Sequence, residues 1–113
     1  MIMNNKRFAM ALDLVDDPKM IAEYEDHHTR VSAEIKKSIT DAGITVMDIY
    51  RFGNRLFMIM EVDDSFSFER KDKMDAGNPA VQVWEQLMWK YQQSIPGSKP
   101  GEKWVMMKQI FEL

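Results

Sequence analysis

The sequence predicts an α+β fold with the element order β-α-β-β-α-β, in which helices pack against an antiparallel sheet. Apolar runs of strand length alternate with segments of helical periodicity. The two middle runs are separated only by Gly53-Asn54, which is a hairpin signal. This order is the ferredoxin-like arrangement. A chain of 113 residues can bury one core but not two, so we expect a single domain over residues 1–113.

The first half of the chain predicts a strand followed by one long helix. Residues 7–15 are apolar at nearly every position, which is typical of a strand buried on both faces. Asp17 is a suitable N-cap and Pro18 a suitable first residue for a helix over residues 18–42, with Gly43 just past its end. The apolar stripe of this helix has the spacing of a face turned to a core: Ile21, Tyr24, His28, Val31, Ile35, Ile39 and Ala42.

The second half of the chain predicts a hairpin, two helices and a closing strand. Residues 44–52 and 55–62 are the arms of the hairpin, and the second arm, apolar almost throughout, should be a central strand. After the hairpin we predict a short helix, capped by residues 63–65 and reaching about residue 74, and then a longer helix beginning at Asn78 and Pro79. A loop over residues 94–102 and a strand over residues 104–111 complete the chain.

Two of the predicted strands, residues 8–15 and 56–62, are apolar on both faces. In this fold the helices cover only one face of the sheet, so a second layer must cover the other. The economical solution is a second copy of the same sheet packed face to face. We therefore predict a homodimer, a dimeric α+β barrel, whose shared face could also hold a ligand cavity.

Composition excludes several classes of function. Cysteine is absent, which rules out disulfides, thiol catalysis and thiolate metal sites. A net charge of −3 gives no basis for binding nucleic acid, and the two histidines lack metalloprotease spacing, so we expect no nucleic acid partner and no metal. No apolar run approaches the roughly 20 residues of a membrane helix, and no cleavage site follows the N-terminus. We expect a cytoplasmic protein that does not bind a membrane.

Tyr24 and His28 are the polar members of the first apolar stripe. They are one helical turn apart and point the same way, so each must find a hydrogen-bond partner or line a wet cavity. A core histidine bonded to a backbone carbonyl would explain His28 equally well. The functional interpretation is that an imidazole, with an ordinary pKa of about 6.5, exchanges a proton at cellular pH. His27 lies off the stripe and is expected at the surface or its rim.

The second long helix carries Trp84 on its apolar side, with Glu85 beside it. Core packing is the common role of a tryptophan at this spacing. The alternative is an indole that stacks on the C–H face of a sugar while a polar neighbour such as Glu85 holds a hydroxyl.

These residues, in their order and spacing, resemble the L-rhamnose mutarotase family from about residue 6 to residue 113. The segments that carry the resemblance are Tyr24-x-x-x-His28, Ile49-Tyr50, Arg55-Leu-Phe-Met-Ile-Met-Glu61, Val81-Gln-Val-Trp84, Trp89-Lys90, Pro96-Gly97 and Ile110-Phe111-Glu112-Leu113. The resemblance implies a dimeric α+β barrel that interconverts the α and β pyranose anomers of a 6-deoxy-L-sugar without a cofactor. It implies His28 as the proton donor, and Tyr24 and Trp84 as substrate contacts.

The sequence departs from the family pattern at the pocket wall. Glu85 replaces the second tryptophan of a pair, and Met47 replaces a tyrosine near the start of the second strand. Segment 32–34 reads Ser-Ala-Glu where Trp-Pro-Glu is frequent. These changes leave Tyr24 and His28 intact, so they bear on the identity of the sugar more than on the reaction. L-fucose stands beside L-rhamnose as a candidate, and Glu85 and Met47 are counted with the substrate-binding residues.

Two other classes of function fit the same barrel. One is a small cofactor-free monooxygenase or a haem-binding protein, in which His28 would bind iron. The other is a small-ligand-binding module without turnover. Both leave the combination of Tyr24, His28 and Trp84 without a role. Mutarotation accounts for it, because ring opening and reclosure need only general acid–base catalysis and positioning.

Overall fold

The computed structural model describes residues 6–113. The elements in chain order are β1 (Lys6–Leu14), α1 (Pro18–His28), α2 (Ala33–Asp41), β2 (Ile44–Phe52), β3 (Arg55–Val62), α3 (Phe68–Ala76), α4 (Pro79–Trp89), β4 (Gln92–Gln93) and β5 (Val105–Met106). The bounds of the hairpin strands β2 and β3 agree with the prediction. Among the helices of this part of the chain, none is long and apolar enough to cross a membrane.

The strands form one antiparallel sheet in the order β2-β3-β1-β4, and β5 also pairs with β1. With the helices, this order confirms the predicted ferredoxin-like subunit. Strand β3 is central, as predicted, because it pairs with β1 on one side and with β2 on the other. The longest pairing joins β1 to β3, from Lys6 opposite Val62 to Asp13 opposite Arg55.

The core lies on one face of the sheet, beneath the helices. Alternate residues of a strand point to opposite faces, and both core clusters take their strand residues from the same alternating set. The first cluster consists of Met10, Ile44, Met58, Met60 and Val62. The second consists of Leu14, Tyr24, Leu56, Met88 and Tyr91 and joins the sheet to α1 and to the end of α4.

The prediction of a single helix over residues 18–42 is wrong, because the helix is interrupted between α1 and α2. Asp17 and Pro18 begin α1 as predicted. The Thr29 hydroxyl donates to the carbonyl of Asp26 (2.7 Å), and the Ser32 hydroxyl accepts from the backbone N–H of Ile35 (3.3 Å). These local hydrogen bonds end one helix and start another. His28 is therefore the last residue of a helix rather than the middle of one.

Two further elements differ from the prediction. The short helix α3 is capped by Ser67 rather than by residues 63–65, because the Asp63 carboxylate accepts from the backbone N–H of Ser65 (2.9 Å) in a turn. The closing strand predicted over residues 104–111 is reduced to β5. Part of its place beside β1 is taken by β4, which directly follows the end of α4.

Gly43, predicted just past the end of the helix, has the positive φ of 97° that favours glycine. A Cβ atom there would lie 2.5 Å from the hydroxyl of Ser65 and 2.6 Å from the carboxylate of Asp63. The turn after α2 therefore packs against the turn after β3 too closely for any side chain.

Candidate active site at the end of the first helix

His28 ends α1 with one ring nitrogen engaged. Its Nδ1 lies 2.8 Å from the carbonyl oxygen of Tyr24, and a carbonyl can only accept, so Nδ1 carries a proton. In the neutral ring this leaves Nε2 with the lone pair. The hydrogen bond is the one expected of a core histidine. The side chain is nevertheless only half-buried, so the same bond can orient the ring for proton exchange at Nε2.

Tyr24 lies beneath His28 and is 3% exposed. The two ring centroids are 4.4 Å apart, with the planes inclined by 41°. Burial raises the pKa of the Tyr24 hydroxyl, and the side chain of Gln92, at the start of β4, partly opposes this shift. The phenol is therefore a hydrogen-bond donor at neutral pH rather than a base.

Trp84 completes the group from α4. Its ring centroid is 5.4 Å from that of His28 and the planes cross at 70°, an edge-to-face contact. The indole is half-buried and also lines an apolar groove of about 440 Å³ between α2 and α4. The structure thus brings the rings of Tyr24, His28 and Trp84 together, and their roles at a site stay predictions.

Glu85 and Met47 lie apart from this group. Half-buried Glu85 is next to α3, where burial raises its pKa, the charges of Asp75 and Asp72 raise it further, and that of Lys71 lowers it. Met47 lies on the same face of the sheet but packs against the first core cluster, whereas Tyr24 belongs to the second.

The Tyr24, His28 and Trp84 group lies on the helix-covered side of the sheet. Tyr24 packs with Leu14 and Leu56, whose side chains belong to that face. A ligand at His28 would therefore lie on the helix-covered side of the sheet, and not on the opposite face where the sequence suggested that a cavity could be shared with a second copy.

A second set of polar side chains adjoins the first. Nε2 of His27 lies 3.3 Å from the hydroxyl of Tyr91, whose ring meets that of Tyr24 edge to face at 6.1 Å. Burial raises the pKa of Tyr91, and the neighbouring charge of Glu23 raises it further. The rings of His27, Tyr91, Tyr24, His28 and Trp84 thus form one continuous row. Sequence patterns do not pair His27 with Tyr91, because the contact joins α1 to the turn between α4 and β4.

Trp104 is the residue near the site that the sequence analysis missed. It packs, half-buried, against both core clusters, as does Ile49 of β2. Period-two alternation in the closing strand would have placed Trp104 and Met106 on one face. It could not have shown that Trp104 packs against the cluster that contains Tyr24.

No three His, Asp or Glu side chains within residues 6–113 converge on a point where they could hold a metal ion. The chemistry that the group can perform directly is proton exchange at Nε2 of His28, hydrogen-bond donation from Tyr24 and apolar contact with Trp84.

Comparison with known proteins gives the family. A model of the L-rhamnose mutarotase family matches residues 7–113. The chain belongs to this family. It is 43% identical, over 98% of its length and 90% of the relative's, to an L-fucose mutarotase of Xanthomonas campestris. This membership confirms the resemblance seen in the sequence and the predicted reaction class, a carbohydrate isomerase that performs mutarotation.

Solved structures agree on the fold. An L-rhamnose mutarotase of Formosa agariphila superposes with a TM-score of 0.69 at 22% identity, covering 96% of this chain and 98% of that one. The tetracenomycin F2 cyclase of Streptomyces glaucescens superposes with a TM-score of 0.60 at 14% identity, with the same coverage. None of these comparisons favours the haem-binding, monooxygenase or non-catalytic alternatives over mutarotation.

Proposed function

We propose that the protein interconverts the α and β anomers of L-fucose, with His28 as the group that carries the proton. The observation that supports this most strongly is the geometry of His28, whose Nδ1 is held by the Tyr24 carbonyl and whose ring lies between Tyr24 and Trp84. L-fucose is preferred to L-rhamnose because the relative at 43% identity is an L-fucose mutarotase. L-rhamnose is the second candidate.

The proposed reaction moves one proton between two oxygens on the same carbon. Nε2 of His28 takes the proton of the anomeric hydroxyl, the bond between C1 and the ring oxygen breaks, and C1 becomes an aldehyde. The imidazolium gives the proton to the former ring oxygen, which is close because it was bonded to C1. Rotation about C1–C2 then presents the other face of the aldehyde, and the reverse steps close the ring. Protons balance, and His28 ends in its starting state.

Tyr24 is proposed to act in two ways. Its carbonyl and its ring hold the imidazole, and its hydroxyl, kept protonated by burial, donates a hydrogen bond to the oxygen that gains negative charge. Trp84 is proposed to stack on the C–H face of the sugar. Hydrogen bonding by Glu85 to a sugar hydroxyl and contact of the sugar with Met47 stay predictions from the family pattern.

The substrate is tested by saturation-transfer NMR of anomer exchange. The purified protein is added to L-fucose, L-rhamnose and their common epimers at equal concentration, and the exchange rate above that of buffer is compared. We expect the largest acceleration for L-fucose. A larger acceleration for L-rhamnose would reverse the choice of sugar, and binding without acceleration of any exchange would contradict mutarotation.

We also infer that the protein forms a homodimer through the face of the sheet opposite the helices. Ala9 faces Ile59 and Ala11 faces Phe57 across the β1–β3 pairing on that face. Tyr50, opposite Phe57 on β2, is 61% exposed, and Phe52 at the end of β2 is 83% exposed. An apolar surface of this kind, repeated on an identical chain, is the pattern that a two-fold interface buries.

Mass in solution at micromolar concentration tests the dimer. We expect twice the chain mass of 13.3 kDa by light scattering, and we expect Ile59→Asp to lower it toward the monomer. Val83→Asp is the matched control, because Val83 is 68% exposed on α4 of the helix layer. A monomeric wild-type protein would overturn the proposal. The expected cytoplasmic location stays a prediction.

A further inference from the structure

The strand pairing beside β1 is interrupted, and Trp104 lies at the interruption. β4 pairs with Asp13 and Leu14, and β5 pairs with Met10 and Ala11, in the same direction along β1. The chain leaves this edge after Gln93, opposite Asp13, and returns with Val105, opposite Ala11, so that Leu12 is paired by neither strand. Trp104 is the last residue before it returns.

The Trp104 side chain is directed to the helix-covered face. Trp104 directly precedes β5, whose Met106 lies opposite Met10, a core residue of that face. The packing agrees, since Trp104 contacts both core clusters, including the one that contains Tyr24. The indole is only half-buried. It therefore presents an apolar surface beside the cluster that contains Tyr24.

The chemistry of a 6-deoxy sugar requires such a surface close to the proton-carrying group. The methyl group is attached to C5, and C5 is bonded to the ring oxygen that gains and loses the proton. The methyl carbon therefore lies two bonds from a reacting atom, and the group that receives it must be a neighbour of His28 and Tyr24. Ile49 and Trp104 are the half-buried apolar side chains that pack against both clusters. Trp104 is much the larger.

We propose that Trp104 receives the C5 methyl group and thereby selects a 6-deoxy sugar over the same sugar with a hydroxyl at C6. This inference rests on the proposed function and adds a residue that determines its specificity. The hydroxyl would lose water against the indole and gain no hydrogen bond from it. Apolar sites reject a ligand that merely adds one hydroxyl by about 100-fold at most, so the preference is expected to be about 10- to 100-fold.

The test compares L-fucose with L-galactose, which differs only by the hydroxyl at C6, in anomer exchange by NMR. In the wild-type protein we expect kcat/KM to favour L-fucose by about 10- to 100-fold. Trp104→Ala is expected to reduce this preference at least about fivefold. The change should appear as a higher KM for L-fucose with kcat nearly kept, because the methyl contact is the same in the ground and transition states.

Two further variants separate loss of the contact from loss of the fold. Trp104→Phe retains an aromatic surface, and we expect it to keep most of the preference for L-fucose. This variant still tests the inference if Trp104→Ala does not fold. Trp89→Ala is the matched control. Trp89 is 55% exposed on α4, and its ring centroid lies 5.0 Å from Nζ of Lys103, the residue directly before Trp104. Trp89→Ala should leave the ratio unchanged.

Two results would overturn the inference. The first is a wild-type protein without preference between the two sugars. The second is an unchanged ratio of kcat/KM in a folded Trp104→Ala protein, whether or not activity on both sugars falls equally. A wild-type protein inactive on every sugar would instead refute the proposed function, and with it this inference.

Discussion

Tyr24 is the residue at which the two parts of the proposed mechanism can be separated. Tyr24→Phe removes the hydroxyl and keeps both the ring beneath His28 and the carbonyl that bonds Nδ1. Tyr24→Leu keeps the carbonyl but removes the ring as well. The loss of activity in Tyr24→Phe therefore measures the hydrogen bond to the sugar. The further loss in Tyr24→Leu measures the support that the ring gives to the imidazole.

The magnitudes follow from burial and from the kind of hydrogen bond. A hydrogen bond to a developing charge contributes about 1.5–3 kcal/mol, so Tyr24→Phe is expected to lower kcat/KM about 10- to 100-fold. Tyr24 is 3% exposed, and loss of its ring leaves a cavity, so Tyr24→Leu should also lower the free energy of unfolding by about 1–3 kcal/mol. Its activity should fall below that of Tyr24→Phe, because the imidazole loses a packing surface.

Saturation-transfer NMR with L-fucose gives the activities, and urea unfolding followed by tryptophan fluorescence gives the stabilities. A Tyr24→Phe protein as active as the wild type would refute the hydrogen bond from the hydroxyl. A folded Tyr24→Leu protein no less active than Tyr24→Phe would refute the contribution of the ring.

Three predictions concern stability and are checked by urea unfolding. Burial raises the pKa of Glu85, so the folded state binds this proton more tightly than the unfolded chain does, and the resulting stability is lost as pH rises from about 4.3 through the raised pKa. Glu85→Gln should therefore stabilise the protein at pH 7 and not at pH 4. Equal effects of the substitution at the two pH values would contradict the raised pKa. Leu56→Ala, in the cluster that contains Tyr24, should lower the free energy of unfolding by about 2–5 kcal/mol, and a loss below about 1 kcal/mol would contradict the packing. Gly43→Ala should cost about 1–3 kcal/mol through its positive φ and the contacts at Ser65, and an unchanged stability would contradict that geometry.

Much of the fold could be predicted because local signals and the overall pattern agree. The Gly53-Asn54 turn and the apolar runs on both sides of it place β2 and β3 where the structure has them. The prediction of one long first helix was wrong for a physical reason. Hydrophobic periodicity shows which face of a segment is buried, and it continues across Val31, but hydrogen bonds of Thr29 and Ser32 decide whether the helix itself continues.

The site could be predicted only where it depends on spacing within a helix. Tyr24 and His28 share a face because they are four residues apart, and the structure brings them together. Glu85 is adjacent to Trp84 in sequence but about 100° round the helix, which turns it toward α3. Trp104 and the contact of His27 with Tyr91 depend on how distant segments pack, and no local pattern encodes that.

The central claim is that His28 carries the proton, and its most direct test is anomer exchange of L-fucose measured by saturation-transfer NMR on His28→Ala. The neighbouring variant His27→Ala, from the same end of α1, is the control. We expect exchange in His28→Ala to fall by about 10²- to 10⁴-fold or to the buffer rate, with near wild-type exchange in His27→Ala. Undiminished exchange in a folded His28→Ala protein would contradict the account.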